Sequence, residues 1–238
     1  MTRYTKAEEK KIGAFAEKVA ARIDAVVTRL VSVVDRMDSE MDSDADDFDY
    51  FVDATKLLLG QRSDGDALAG AGYAADYLGS GRAPAMVWWV WRAGGVIERA
   101  HSADPESESF YDYTALRWFR SPMDTGAPAV SGPFIDTWGS DDYTVTVSLP
   151  VPGEQAPRGV VAADVDVSRL IESLAADLAS ISGSLALVNE SDRVLVSTVP
   201  SLSTGLPIVP RAARADIESV VRKRIPVPGY GWSVVLLA

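Results

Sequence analysis

The chain has 238 residues, of which 47% are apolar and 24% charged, an ordinary balance for a globular protein with a sizeable core. Its 34 acidic residues against 23 basic ones give a net charge of −11. This argues against nucleic-acid and anionic-membrane partners, since both need clustered Lys and Arg. Cysteine is absent and His101 is the one histidine, so disulfides, thiolate catalysis and Cys- or His-rich metal sites are excluded, and no metal or cofactor is expected.

Thr5 to Met41 is predicted to be one long helix. Thr5-Lys-Ala-Glu8 has the capping-box form, in which side chains at both ends satisfy free backbone donors. Apolar residues then recur at Ile12, Phe15, Val19, Ile23, Val26, Leu30, Val33 and Met37, in alternating steps of three and four. That seam suits packing on the protein's own sheet. It also suits pairing with a second copy, a homodimer through the N-terminal helix. The N-terminal stretch MTRYTKAEEKKIGAFAEK has bases but no apolar core of the signal-peptide type. No run approaches the roughly 20 apolar residues of a membrane span. With Met1 as the natural start the expected location is cytoplasmic; a trimmed chain would be an extracytoplasmic sensor domain.

Asp38 to Asp53 is acidic and reads as a solvated loop. Asp42-x-Asp44-x-Asp46 faintly resembles a calcium loop, but Asp47 stands where the sharp turn needs Gly. Residues 54–82 are rich in Ala and Gly and are expected to carry short helices, with Gly60 as a stop. Ala85 to Ala93 is a strand by its aromatic and β-branched content, turning at Gly94-Gly95. Tyr143 to Val151 alternates as a strand should, and Arg158-Gly159 leads into a further strand, VVAADVDV. Ser168 is placed to cap a helix with an apolar face of Leu170, Ile171, Leu174 and Leu178. Beyond Gly183 come a hairpin around Asn189-Glu-Ser-Asp and another through Pro228-Gly229. His101 is expected on a surface turn. Antiparallel strands with helices gathered on one side make an α+β fold. Residues 1–178 form the main domain and 179–238 a smaller α/β subdomain or sheet extension.

Between Phe110 and Val167 aromatics alternate with carboxylates, without His or Cys. Such a make-up suits recognition of a small polar molecule rather than acid–base or nucleophilic work. Asp164 interrupts an apolar strand. A buried, unpartnered carboxylate costs several kcal/mol, on the order of 3–5, so it must be paired, hydrogen-bonded, protonated or facing a cavity. It either contacts a ligand, caps the next helix, or pairs with Arg117 or Arg158. Asp136 either contacts a ligand or makes an Asx turn. Tyr111, Tyr113 and Trp118 are candidates for a pocket wall, Trp89 and Trp91 for further aromatic contacts, and Tyr143 for a hydroxyl.

The order of these segments resembles the ligand-binding half of Cache domains, the PAS-like sensor modules of bacterial receptors. The resemblance rests on Tyr111-Asp112-Tyr113 with Arg117-Trp118-Phe119, on Pro133-Phe134-Ile135-Asp136, and on Gly159-Val160 through Asp164. It extends to stand-alone soluble Cache proteins of actinobacterial type. It implies a long N-terminal helix packed on a PAS-like antiparallel sheet. It also implies a non-enzymatic sensor for an amine or amino acid. The ligand's carboxylate would meet the Arg and aromatic segment, Arg117 included, and its ammonium Asp136 and Asp164. Two positions depart from the family pattern: Leu116 stands where the family has Arg, and Phe134 where it has Tyr. Two other classes remain in view. One is an oligomerising interaction protein with a vestigial pocket; the other is a hydrolase using Asp136 and Asp164 as a carboxylate pair.

Overall fold

The computed structural model describes residues 5–40, 47–75, 85–102, 104, 106–107, 111–136, 142–153, 156–209 and 220–238. Helix α1 (Lys6–Glu40) begins at the capping box. Thr5 N–H donates to Glu8 Oε2 at 2.7 Å, and Glu8 N–H to Thr5 Oγ1 at 3.2 Å. The seam faces inward: Ile12, Phe15, Val19, Ile23, Leu30, Val33 and Met37 are buried and Val26 partly so. They pack against strands of two sheets and against two of the chain's other helices. The seam is therefore used within the chain. A second copy pairing through α1 would meet its outer face instead.

Helix α2 (Asp47–Gly60) takes in the end of the acidic run, so Asp49 and Asp53 are helical rather than part of a loop. Its Phe51 stacks on Tyr73 with ring centroids 4.4 Å apart. The Asp42-x-Asp44-x-Asp46 spacing lies outside the described residues.

The larger sheet has six strands, all antiparallel, in the order β3-β2-β1-β6-β5-β4. Its strands are β1 (Leu68–Ala75), β2 (Ala85–Arg92), β3 (Gly95–Glu98), β4 (Ala129–Ile135), β5 (Tyr143–Val151) and β6 (Gly159–Asp166). The turn between β2 and β3 falls on Ala93-Gly94, both with positive φ, one residue earlier than the sequence suggests. The largest correction is β1. LAGAGYAA was expected to be helical, yet it is a central strand. Its small residues fit the sheet because a large neighbour lies across them, which no local pattern reveals. Gly72 pairs with Trp88, and a Cβ on Gly72 would stand 2.4 Å from Trp88 Cε3 and 2.2 Å from Val87 O.

The two faces of this sheet differ. Tyr73, Trp89, Val145, Val147 and Ala163 face α1 and α2 in the main core. Ala74, Trp88, Val90, Val160 and Ala162 face the other way, against Tyr113, Trp118 and Phe119. Helix α3 (Arg117–Thr125) covers that second face, against β4, β5 and β6. The segment ALRWF thus opens a helix, and the helices are not gathered on one side. Helix α4 (Val167–Ala179) is capped by Asp166, whose side chain accepts from Arg169 N–H at 3.1 Å; Ser168 is already inside it.

A second antiparallel sheet follows, in the order β8-β7-β10-β9. It comprises β7 (Leu185–Val188), β8 (Val194–Ser197), β9 (Val221–Pro226) and β10 (Ser233–Leu237). The amino-terminal part of α1 is fastened to it, with Lys223 paired to Glu9 at 2.7 Å and Tyr230 hydroxyl bonded to Asp24. Among the described residues no helix is long and apolar enough to cross a membrane.

Gly72→Ala should lower stability by about 1–3 kcal/mol, because the new methyl overlaps backbone as well as the Trp88 ring. Urea denaturation checks this; a midpoint equal to that of the parent would show that β1 does not depend on the close approach.

Candidate ligand-binding site

One row of residues crosses the face of the sheet that α3 covers. Ser131 pairs with Thr146, Thr146 with Asp164, and Asp164 with Gly70. Asp164 is 8% exposed. Its Oδ1 accepts from Thr146 Oγ1 at 2.6 Å and its Oδ2 from Trp88 Nε1 at 3.0 Å. Gly70 and Gly72 make the second bond possible. A Cβ on Gly70 would lie 3.0 Å from Trp88 Nε1 and 3.1 Å from Asp164 Oδ2. The indole rests over the two glycines and reaches the carboxyl.

Both donors on Asp164 are neutral, and a carboxylate has room for about four hydrogen bonds. Neither Arg117 nor Arg158 contacts it. Arg117 pairs with Glu190, and Arg158 lies beside Met37 on the other face. Burial pushes the Asp164 carboxyl up to about 7, the nearby charge of Asp136 adds to the rise, and the bonds from Thr146 and Trp88 oppose it.

Asp136 follows β4, half-buried, with its backbone N–H bonded to Asp142 O at 3.1 Å. Asp136 and Asp164 line one small void of about 10 Å³ together with Trp88, Tyr111, Trp118 and Phe134. That is room for about one water. Four of its residues, Tyr111, Trp118, Phe134 and Asp136, also line an adjoining cleft of about 480 Å³. This volume is in the range of small-molecule sites, roughly 300–1,000 Å³. Burial pushes the Tyr111 phenol up to about 12; the Trp118 hydrogen bond opposes that, and the two carboxylates reinforce it.

Of the ten candidate residues, the structure brings six to these two connected spaces: Asp136, Asp164, Tyr111, Trp118, Phe134 and Arg117. It takes four elsewhere. Trp89 and Trp91 lie on the opposite face, where Trp89 Nε1 donates to Val52 O at 3.0 Å and the Arg62 guanidinium stands 4.8 Å from the Trp91 ring. Tyr113 is 1% exposed in the core, its hydroxyl donating to Ala75 O and Ala85 O at 2.7 and 3.0 Å. Tyr143 also packs on the helix side of the sheet, beside Gly205. His101 is not on an open turn. It is half-buried, 5.5 Å from the Tyr113 ring and 3.2 Å from Tyr111 O, and burial lowers its pKa.

Sequence reasoning passed over Trp88, Thr146 and Ser131. It also passed over Asn189, Glu190 and Arg193, from the hairpin between β7 and β8, which wall the larger cleft. The Thr144, Thr146, Ser148 alternation was a usable signal for Thr146. Nothing local points from the hairpin to β4; the contact is Asn189 Nδ2 donating to Gly132 O at 2.6 Å.

The fold is of the Cache-like, PAS-related type. Residues 66–172 match the family of methyl-accepting chemotaxis protein-like, first PDC sensor domains. The structure is similar to that of methyl-accepting chemotaxis protein X, with TM-score 0.68 and 14% identity over 98% of this chain and 96% of that one. It is also similar to the ligand-binding domain of the Pseudomonas fluorescens chemoreceptor CtaA in complex with L-valine, with TM-score 0.60 and 13% identity over 95% and 93% of the two chains. A third is the ligand-binding domain of the Pseudomonas aeruginosa PAO1 amino-acid chemoreceptor PctC in complex with GABA, with TM-score 0.55 and 19% identity over 94% and 95%. No curated protein matches this sequence.

The raised Asp164 pKa carries a stability consequence. The folded protein holds this proton more tightly than the unfolded chain, whose carboxyl titrates near its ordinary value of about 3.9. The contribution is complete below that value and is lost as pH rises through about 7. Without ligand, stability relative to Asp164→Asn should fall by about 4 kcal/mol between those pH values. Urea titrations of both proteins from pH 4 to 8 measure the difference; parallel profiles would contradict the assignment.

Proposed function

We propose that this protein is a non-enzymatic binding module for a small amine or amino acid, held by Asp136 and Asp164 against an aromatic wall. The observation that carries this reading is the buried Asp164 carboxyl. It sits beside a second carboxylate, receives only neutral donors among the described residues, and opens on a lined void. An ammonium group supplies what is missing there. It brings positive charge and up to three N–H donors to the Asp164 carboxyl, which accepts from two neutral donors, and to the second carboxylate beside it. Tyr111, Trp118 and Phe134 add rings, and a cation over such a face gains about 0.5–2 kcal/mol. Two of the structurally similar chemoreceptor domains are in complex with L-valine and with GABA, and both of those ligands carry an ammonium group. Binding would act by population shift, favouring whichever packing of the sheets and α1 suits the occupied site.

The reading is tested by calorimetric titration of the protein against a panel of amines and amino acids. At least one member should bind. Asp136→Asn should weaken it by about tenfold or more, as expected when one partner of a charge-assisted contact is removed. A panel without heat or thermal shift would end the reading.

An ammonium ligand also selects the ionised form of Asp164. Affinity should climb as pH rises from 5 towards about 7 and level off above it, with up to one proton released on binding in the lower range. Enthalpies in two buffers of different ionisation heat report that proton. Equal enthalpies at pH 6 would mean that Asp164 does not change charge on binding.

A further inference from the structure

The large cleft does not belong to one sheet. Its inner side is β4 and the start of α3, and its outer side is the Asn189–Arg193 hairpin of the second sheet. The hairpin's backbone is held firmly. Asn189 Oδ1 accepts from Ser191 N–H and Arg193 N–H, both at 2.9 Å, while its Nδ2 donates to Gly132 O. Asp192 is paired with Arg224 at 2.6 Å and Arg193 donates to Gly205 O at 2.7 Å. Glu190 takes no part in those restraints. Its carboxylate reaches across the cleft to the guanidinium of Arg117, which has no other hydrogen-bond or ion-pair partner among the described residues. The Arg117 side chain is 59% exposed, and an ion pair this open adds little to stability. The same cleft holds the Ser131 hydroxyl, 4% exposed and without a hydrogen-bond partner among the described residues. A buried hydroxyl left unbonded at a cleft wall is an invitation to a ligand's polar atom.

We infer that Glu190 is an internal competitor for Arg117. A ligand that places its ammonium at Asp136 and Asp164 and carries a carboxylate at its other end displaces Glu190 from the guanidinium. The inference rests on the amine-binding reading for the ammonium end and on the Arg117–Glu190 pair for the other. It selects zwitterionic ligands over plain amines. It also gives the second sheet a direct report of occupancy, because the residue released belongs to the hairpin between β7 and β8. That sheet is fastened to α1 through Lys223–Glu9 and Tyr230–Asp24, so the report has a path to the long helix.

The experiment uses matched probes: L-valine against isobutylamine, and L-arginine against agmatine, each amine lacking only the carboxylate. They are titrated into the full chain, Glu190→Gln, Glu190→Ala, Arg117→Gln and the Arg117→Gln/Glu190→Gln double variant. The preference for the amino acid over its amine should rise about fivefold in both Glu190 variants. It should vanish in Arg117→Gln, with no recovery in the double variant. A preference unchanged by Glu190→Gln would overturn the inference. A second arm needs no amine. Acetate, compared with chloride at equal ionic strength, should raise the thermal midpoint of Glu190→Gln and leave that of the double variant unmoved. An acetate effect without binding of any amine or amino acid would remove the amine-binding reading and leave the competitor standing. No acetate effect on Glu190→Gln would remove the competitor and leave the amine site.

Discussion

A carboxyl group buried in the middle of an antiparallel sheet is the constraint around which this protein is arranged. Asp164 has apolar neighbours on both sides along β6, and its burial has to be compensated locally. Thr146 from β5 and Trp88 from β2 each bring one neutral donor. Trp88 can do so only because β1, between β2 and β6, has glycine at positions 70 and 72, over which the indole lies. The composition of β1, the choice of tryptophan on β2 and the hydroxyl on β5 are thus three consequences of one charge. Two neutral hydrogen bonds do not restore the ordinary acidity of the group, and burial holds it near neutrality. The sheet carries an unresolved electrostatic cost, and the side chain bearing it borders a void.

That arrangement divides the labour between the two faces of the sheet. One face is given to stability, where α1 and α2 cover a continuous apolar core. The other carries the carboxyls, the α3 aromatics and the cleft. The second sheet closes that cleft with a single hairpin while resting on the same long helix that supports the first. A change in the cleft therefore bears on elements from both sheets, although the row containing Asp164 belongs to one of them.

Much of the fold can be read from local chemistry. The capping box and the three-four spacing define α1, strict alternation defines β5, and Gly and Pro mark the later hairpins. Asp164 announces itself as a carboxylate in an apolar strand. The readings that fail share a cause. LAGAGYAA lacks any strand-like alternation, because its glycines answer a tryptophan 16 positions further on, at Trp88 opposite Gly72. Arg117 opens α3, where Leu116 precedes the first turn in an extended conformation, and no reading of the segment as a pocket wall fixes that geometry. Tyr113 and Tyr143 have the chemistry of a pocket wall, but Tyr113 is spent on two backbone carbonyls and Tyr143 faces the helices.

The sequence by itself determined the fold class, the long helix and the presence of two carboxylates among aromatic residues, because periodicity and composition act over short stretches of chain. Only the tertiary structure decided which tryptophan of Trp88, Trp89 and Trp91 meets Asp164, and that a hairpin some 50 residues beyond Asp136 forms the outer wall. The reason is parity and distance. Adjacent residues on a strand point to opposite faces, so a register set by pairing with distant strands chooses between them. Contacts across that span of chain exist only once both sheets have packed on one helix.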